Sequence, residues 1–474
     1  MSDGRPEIVQ IQLNEPGPSR IRHWIRHVLG LDRAVGFSVL ARFWSSAAGL
    51  VTVALIARFL SSVEQGYYYT FGSLVALQIV FELGFSFVIL QMASHERAQL
   101  SISSQYEISG NPVSHARLAS VVQKSVRWYS IAAVLLTATL LPAGFYFFYS
   151  HSHATDVVHW QLPWCSAAVM TGLNFQLDPL LSFLEGCGYV SEVARLRFVQ
   201  SVLGSVLAWT ALITHHGLYA PSMMLLGMAT GSLVWVYARR KLLFGLLKYD
   251  VAENRIHWNE EVWPFQWRIA VSWFCGYFLF WIFNPVLFAF RGPVEAGQMG
   301  MSLSLVNAIQ AVSVSWVSTK AAPFGNLIAR KAFRELDRTF FQALRQASVV
   351  SLTGAVIALL GCAYLNLRHY WFAHRLLDPI SLSFLLLYMV INVIVISEAY
   401  YLRAHKQEVF FTNSLVGAVA VTACTFVFGQ SYGAKGIVVG CCLLNFGGLV
   451  WASYKFQKYR KLWHAPLEVL KSKS

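Results

Sequence analysis

From Gly36 onward, apolar stretches of about 20 residues alternate with shorter polar connections almost to the end of the chain. A hydrocarbon core roughly 30 Å thick is crossed by about 20 helical residues, so each stretch is long enough to span a bilayer. A closed β-barrel would instead show shorter segments of alternating polarity. The pattern predicts about twelve spans, near 36–59, 67–92, 126–149, 160–184, 196–215, 219–238, 268–290, 298–320, 346–367, 379–402, 409–428 and 435–455. The expected class is an all-α polytopic membrane protein.

The connections alternate in length and charge. Those near 93–125, 239–267 and 321–345 are long and basic, while those on the opposite face are short. With the N-terminus in the cytoplasm, inner segments hold about 31 of the 37 Lys and Arg residues, including Arg239-Arg240-Lys241 and Arg330-Lys331. Both termini are therefore expected in the cytoplasm. The formal charge of +14 sits between spans and at the chain ends rather than on one compact face, so it reads as a topology signal and not as a nucleic-acid surface. Only 13% of the 474 residues are charged against 56% hydrophobic, and no connection is long enough for a separate catalytic domain.

The first 35 residues have no apolar core with a small-residue cleavage site, so no signal cleavage is expected. There Trp24, Val28 and Leu31 alternate with Arg22, Arg26 and Arg33, which suits either a helix on an anionic membrane surface or a disordered basic tail. The seven cysteines form no C-x-x-C pair and read as small packing residues. Trp128, Tyr149, Trp160, Trp263, Trp267 and Tyr400 fall near span ends, where amphipathic rings favour the headgroup layer.

Val63-Glu64-Gln65-Gly66, between the first two spans, reappears as Val294-Glu295-Ala296-Gly297 between the seventh and eighth. Each copy follows an apolar helix ending in arginine, Arg58 or Arg291. The chain therefore reads as duplicated: a basic segment over 1–35, a six-helix half over 36–238, a linker over 239–267, a second half over 268–455 and a tail over 456–474. Two parallel six-helix repeats would enclose a central cavity that opens to either side by rocking, a transporter's architecture.

Ala57-Arg58-Phe59-Leu60, the Val-Glu-x-Gly turn, Tyr67 to Thr70, Phe81-Glu82-Leu83-Gly84 and Leu184-Glu185-Gly186-Cys187-Gly188 resemble bacterial O-antigen and polysaccharide flippases. The twelve-span layout resembles the wider multidrug, oligosaccharidyl-lipid and polysaccharide exporter superfamily. The resemblance implies movement of a polyprenyl-pyrophosphate-linked oligosaccharide from the inner to the outer leaflet of the bacterial inner membrane. It implies no bound cofactor, coupling to a proton or sodium gradient in some members, and contact with membrane lipid, a polysaccharide polymerase and chain-length proteins. Such families bind the anionic headgroup in a cationic cavity.

An ionisable group inside the bilayer costs about 2.5–3.5 kcal/mol on insertion scales, so each needs a partner or a cavity. Arg42 and Glu82 lie in the inner halves of the first two spans. They read as a pyrophosphate-binding cation and an ion-coupling carboxylate, or as a structural ion pair. Asp178 shares a helical face with Asn174 and precedes Pro179, where it reads as a coupling carboxylate or as a cap for freed backbone groups. Glu398 and Lys320 would line a cytoplasmic vestibule or snorkel to the interface. Arg58 and Arg291 hold matching outer positions and would draw a phosphate outward or pair with Glu64 and Glu295. Gln78, Asn307, Gln310 and Asn392 would meet sugar hydroxyls or join helices.

His151, His153, Asp156 and His159 share one outer loop, but their spacing fits no metal motif and no metal site is expected. Two other functions compete. A multidrug exporter of the same superfamily would favour an anionic cavity, against which Arg42, Arg58 and Arg291 weigh. A membrane polysaccharide polymerase or glycosyltransferase would need a large outer loop, and a nucleotide-driven pump a G-x-x-x-x-G-K-[ST] loop; neither is present.

Overall fold

The computed structural model describes residues 33–103, 107–151, 158–251, 256–405 and 409–464. The Trp24, Val28 and Leu31 segment and His153 and Asp156 lie outside the described residues, as does the side chain of Arg42. Within them the chain is helical almost throughout. By length and composition seven helices suit a membrane, or nine when each of two bent pairs counts as one span.

The first rod is α1 (Arg33–Phe59). Ser61 then opens α2 (Ser62–Val75) with a capping box: the Glu64 amide donates to Ser61 Oγ at 3.1 Å, and the Ser61 amide donates to Glu64 Oε2 at 2.8 Å. The Val-Glu-Gln-Gly motif is thus a helix start. Its second copy is another, because Pro293 occupies the first turn of α12 (Pro293–Ser318) behind Gly292.

The second rod continues through α3 (Gln78–Glu82) into α4 (Phe85–Arg97). Phe81-Glu82-Leu83-Gly84 does not lie in an unbroken span as the hydropathy suggests. Leu83 and Gly84 are both left-handed, with φ of 51° and 68°, and the rod bends by 44° there. A connection carrying a short antiparallel hairpin, β1 (Leu100–Ile102) with β2 (Ile108–Gly110), leads to α5 (Pro112–His151). With 40 residues α5 runs about 60 Å, so one end projects beyond the hydrocarbon. The next three rods are α6 (Gln161–Gly186), α7 (Val190–Ile213) and α8 (Ala220–Ala238), followed by a short helix, α9 (Arg240–Lys248).

The seventh rod is broken like the second: α10 (Trp263–Phe280) and α11 (Phe283–Arg291) meet at 41°. Beyond α12 come α13 (Ala321–Ala329), α14 (Phe333–Leu367) and α15 (Pro379–Ala404). The last element, α16 (Phe411–His464), is divided into two rods at Gly433, whose φ of 64° and ψ of −149° leave the helical region. The rods follow the hydropathic pattern closely. The two breaks, the hairpin, α9, α13 and the extension of α5 and α14 into the long connections are what that pattern does not contain.

Helices α1, α4, α5, α6, α7 and α8 pack chiefly among themselves, as do α10, α11, α12, α14, α15 and α16. The two groups meet where α2 crosses α12. A Cβ on Gly297 would stand 2.9 Å from the Gly66 amide nitrogen, and a Cβ on Gly66 would collide with the Pro293 carbonyl, so the helices approach backbone to backbone. Gln65 Nε2 donates to the carbonyls of Gly297 at 2.8 Å and Arg375 at 3.0 Å, and Asn284 Nδ2 donates to Ser73 Oγ at 3.2 Å. The Tyr67 ring stands edge-on to Phe288 with centroids 4.9 Å apart, adding apolar contact beside these bonds.

Candidate functional site

The break in the second rod places Glu82 at the last residue of α3, beside freed backbone groups. Glu82 shares a hydrogen bond with Ser86 on the first turn of α4, and Ser86 Oγ lies 3.1 Å from the hydroxyl of fully buried Tyr129. Asp178 on α6 acts electrostatically on both Glu82 and Tyr129, so the two carboxylates and the phenol form one polar cluster among α3, α4, α5 and α6. Asp178 is exposed on α6. Among the described residues the cation that acts on Asp178 is Arg197, which also holds Glu185 at 2.8 Å. Gly84 brings the cluster's edge against the second group of helices, since a Cβ there would strike Ile269 and approach Trp273 Nε1 at 3.3 Å.

The other expected residues are dispersed. Asn174, one turn from Asp178, is buried and donates to the carbonyls of Met170 and Leu225, each at 2.9 Å, which ties α6 to α8. Arg58 is exposed with its guanidinium 6.0 Å from the centroid of Phe59, while Glu64 is engaged by the cap. Arg291 donates to the carbonyls of Gly429 at 3.4 Å and Gln430 at 3.0 Å, and Glu295 accepts from the Ala434 amide at 2.5 Å. Those two side chains thus hold the break at Gly433 from either side and do not pair with each other among the described residues. Asn307 is exposed on α12, and Lys320 is exposed where α12 turns into α13. Asn392 Nδ2 donates to Gln310 Oε1 at 3.4 Å, joining α15 to α12.

Glu398 is buried on α15. Its Oε1 accepts from Ser453 Oγ at 2.8 Å, and its Oε2 has no hydrogen-bond partner among the described residues. Among those residues no group of three or more His, Cys, Asp or Glu side chains is placed to hold a metal ion.

Two constellations lie outside the sequence reading. Arg375 donates to the Leu60 carbonyl at 2.6 Å and to Gln65 Oε1 at 3.4 Å, locking the crossing of α2 and α12. Burial lowers its pKa, and the charge of nearby Glu64 opposes that shift. At the far end of the molecule Arg117 joins Glu96 at 2.7 Å and Glu261 at 2.5 Å. Its hydrogen bond holds the Glu261 carboxyl below the ordinary range. The same surface of α5 supplies Lys124 to the Ile256 carbonyl at 2.6 Å and Gln123 to the carbonyls of Leu246 and Tyr249, so the segment after α9 is fastened to α5. Each of these cations sits in a polar stretch that resembles any solvated connection, and no sequence pattern announces its partner.

Solved structures share this arrangement of helices. The MATE multidrug transporter DinF-BH matches 92% of this chain and 97% of its own, with a TM-score of 0.60 at 12% identity. A multidrug resistance MATE family transporter of the MOP superfamily in an inward-facing conformation matches 88% of this chain and 99% of its own, with a TM-score of 0.56 at 13% identity. The lipid II flippase MurJ in an inward closed conformation matches 89% and 87%, with a TM-score of 0.52 at 14% identity. No protein-family model and no curated protein sequence matches the chain. The likeness establishes the fold: an all-helical polytopic membrane architecture that a lipid flippase and multidrug transporters both use.

Proposed function

We propose that the chain is a flippase that carries a polyprenyl-pyrophosphate-linked oligosaccharide, an O-antigen or exopolysaccharide repeat unit, from the inner to the outer leaflet of the bacterial inner membrane. The observation that supports a transporter of two moving halves is the contact of Gly66 with Gly297 where α2 crosses α12, and the lipid-linked cargo rests on the sequence resemblance. Equivalent residues of two repeats touch each other only near the axis that relates them. Halves over 36–238 and 268–455, joined by a linker over 239–267, would pivot there and expose a route between them alternately to either side. The polyprenyl tail stays in lipid while the sugar head crosses, and no covalent bond changes.

In this reading both termini are cytoplasmic, and Arg42, exposed Arg58, Lys320 and Asn307 meet the pyrophosphate and sugars. Asn174 and Arg291, each bonded to backbone carbonyls, shape the walls of the route. Glu82, Asp178 and Glu398 are the candidates for coupling transport to a proton or sodium gradient. A polysaccharide polymerase and chain-length proteins would act on the delivered unit. A test is the translocation of labelled polyprenyl-pyrophosphate oligosaccharide in proteoliposomes.

One observation favours a second reading, a multidrug exporter. The polar cluster of Glu82, Asp178 and Tyr129 is acidic, and Arg197, the cation that acts on it among the described residues, also holds Glu185. A site of that sign suits an organic cation. Transport of a lipophilic cation blocked by Asp178→Asn, with no movement of the lipid-linked oligosaccharide, would select it.

A further inference from the structure

Helix α14 has two faces of different character. Leu336, Phe340, Ala343, Ala347, Ser351 and Ala355 recur at helical spacing and are buried against the bundle. On the opposite face Val349, Leu352, Val356 and Leu360 are exposed, from 47% to 65%, which makes a continuous apolar stripe for lipid. Arg345 is exposed on this same stripe, one turn before Val349. Farther toward the start of α14 the face carries Arg338 and Arg334, also exposed. Among the described residues none of the three arginines makes an ion pair.

A groove of about 200 Å³ opens at this point, lined by Trp316 from the last turns of α12 and by Arg345, Gln346, Val349 and Val350 of α14. Its composition is graded along the helix. Arg345 and Gln346 lie toward the start of α14, and two valines lie one turn deeper, where the apolar stripe begins. Both helices meet here at the bundle end that bears the basic connections, the cytoplasmic end by the distribution of charge. A guanidinium at the headgroup level with valines just below it matches a phosphate joined to an acyl chain.

We propose that this groove is a binding site for an anionic glycerophospholipid of the cytoplasmic leaflet, its phosphate on Arg345 and one acyl chain along Val349 and Val350. The groove runs into the exposed apolar stripe of α14, the face turned away from the buried side of that helix. Arg338 and Arg334 extend the positive stripe beneath it and favour an anionic headgroup over a zwitterionic one.

Native mass spectrometry of the full-length chain, exchanged against equal amounts of phosphatidylglycerol and phosphatidylcholine, tests the assignment. The wild type should retain phosphatidylglycerol over phosphatidylcholine by about fivefold. Arg345→Gln and Val349→Trp, one removing the charge and the other filling the groove, should each abolish the preference. Arg345→Lys should keep part of it, and Lys241→Gln, on α9, should leave it unchanged. Equal retention of the two lipids by the wild type would overturn the proposal, as would an unchanged preference in folded Arg345→Gln. Displacement of phosphatidylglycerol by an equimolar polyprenyl monophosphate would overturn it too, and would assign the groove to the lipid carrier.

Discussion

Gly66 and Gly297 hold the same place in the two copies of the Val-Glu-x-Gly sequence, and in the folded chain they lie against each other, with a Cβ on Gly297 only 2.9 Å from the Gly66 nitrogen. The same short sequence does two jobs in each copy. Its beginning starts a helix, through the Ser61 and Glu64 cap in one copy and Pro293 in the other. Its final glycine removes the side chain that would hold the two helices apart.

Side chains at these glycines should therefore open the crossing. Gly66→Leu and Gly297→Leu are each expected to cost about 1–3 kcal/mol or more, the range for overpacking a closely fitted contact. Gly72→Ala, where a Cβ meets nothing within 4 Å, should stay within about 0.5 kcal/mol. Unfolding in mixed detergent micelles measures the difference; equal stability of all three variants would refute the close approach.

Glu398 presents one satisfied oxygen and one without a partner in a buried site. Glu398→Gln keeps the shape and the acceptor for Ser453 and should leave stability unchanged or raise it, because no charge then has to be buried. Glu398→Ala should lose about 1–3 kcal/mol by stranding Ser453 and leaving a void. The same unfolding assay separates the two variants.

Glu82 and Asp178 act on each other electrostatically, so their effects on transport should not add. Glu82→Gln combined with Asp178→Asn is expected to impair transport little more than the worse single change. Strictly multiplicative losses in initial transport rate would show that the two carboxylates work independently.

The link between Arg117 and Glu261 should be pH-dependent. Glu261 has its pKa lowered in the folded chain, so its contribution is full above the unfolded value and is lost as pH falls through the folded one. The Glu261 carboxyl carbon, followed by NMR across a pH series, should titrate below the ordinary value of about 4.3, and Arg117→Gln should raise its midpoint. A wild-type midpoint at or above the ordinary value, or one that Arg117→Gln leaves in place, would contradict the assignment.

The long-range order of this molecule was legible because it rests on bilayer thickness: rods of about 20 apolar residues and the Arg-ended repeat appear directly in the hydropathy. The breaks were less so. Phe81-Glu82-Leu83-Gly84 is apolar enough to read as continuous helix, and what bends it is the left-handed backbone of Leu83 as well as Gly84, which no hydropathic period reports. Arg291 and Asn174 were visible as polar residues in apolar surroundings. Their partners are backbone carbonyls on other helices, at Gly429, Gln430 and Leu225, and a carbonyl has no signature in a sequence. Depth along the spans pairs Glu82 with Arg42, whose side chain lies outside the described residues, and gives no sign of the electrostatic coupling of Glu82 to Asp178; Arg375 and Arg117 drew no attention because solvated connections are rich in arginine.

A direct test of flipping follows fluorescent polyprenyl-pyrophosphate oligosaccharide in proteoliposomes, with wild type and Arg42→Ala compared under imposed proton and sodium gradients. Flipping would show as movement of the intact glycan by the wild type and its loss in a folded Arg42→Ala. No movement under any gradient, together with new glycosidic linkages or with uptake of lipophilic cations, would contradict it.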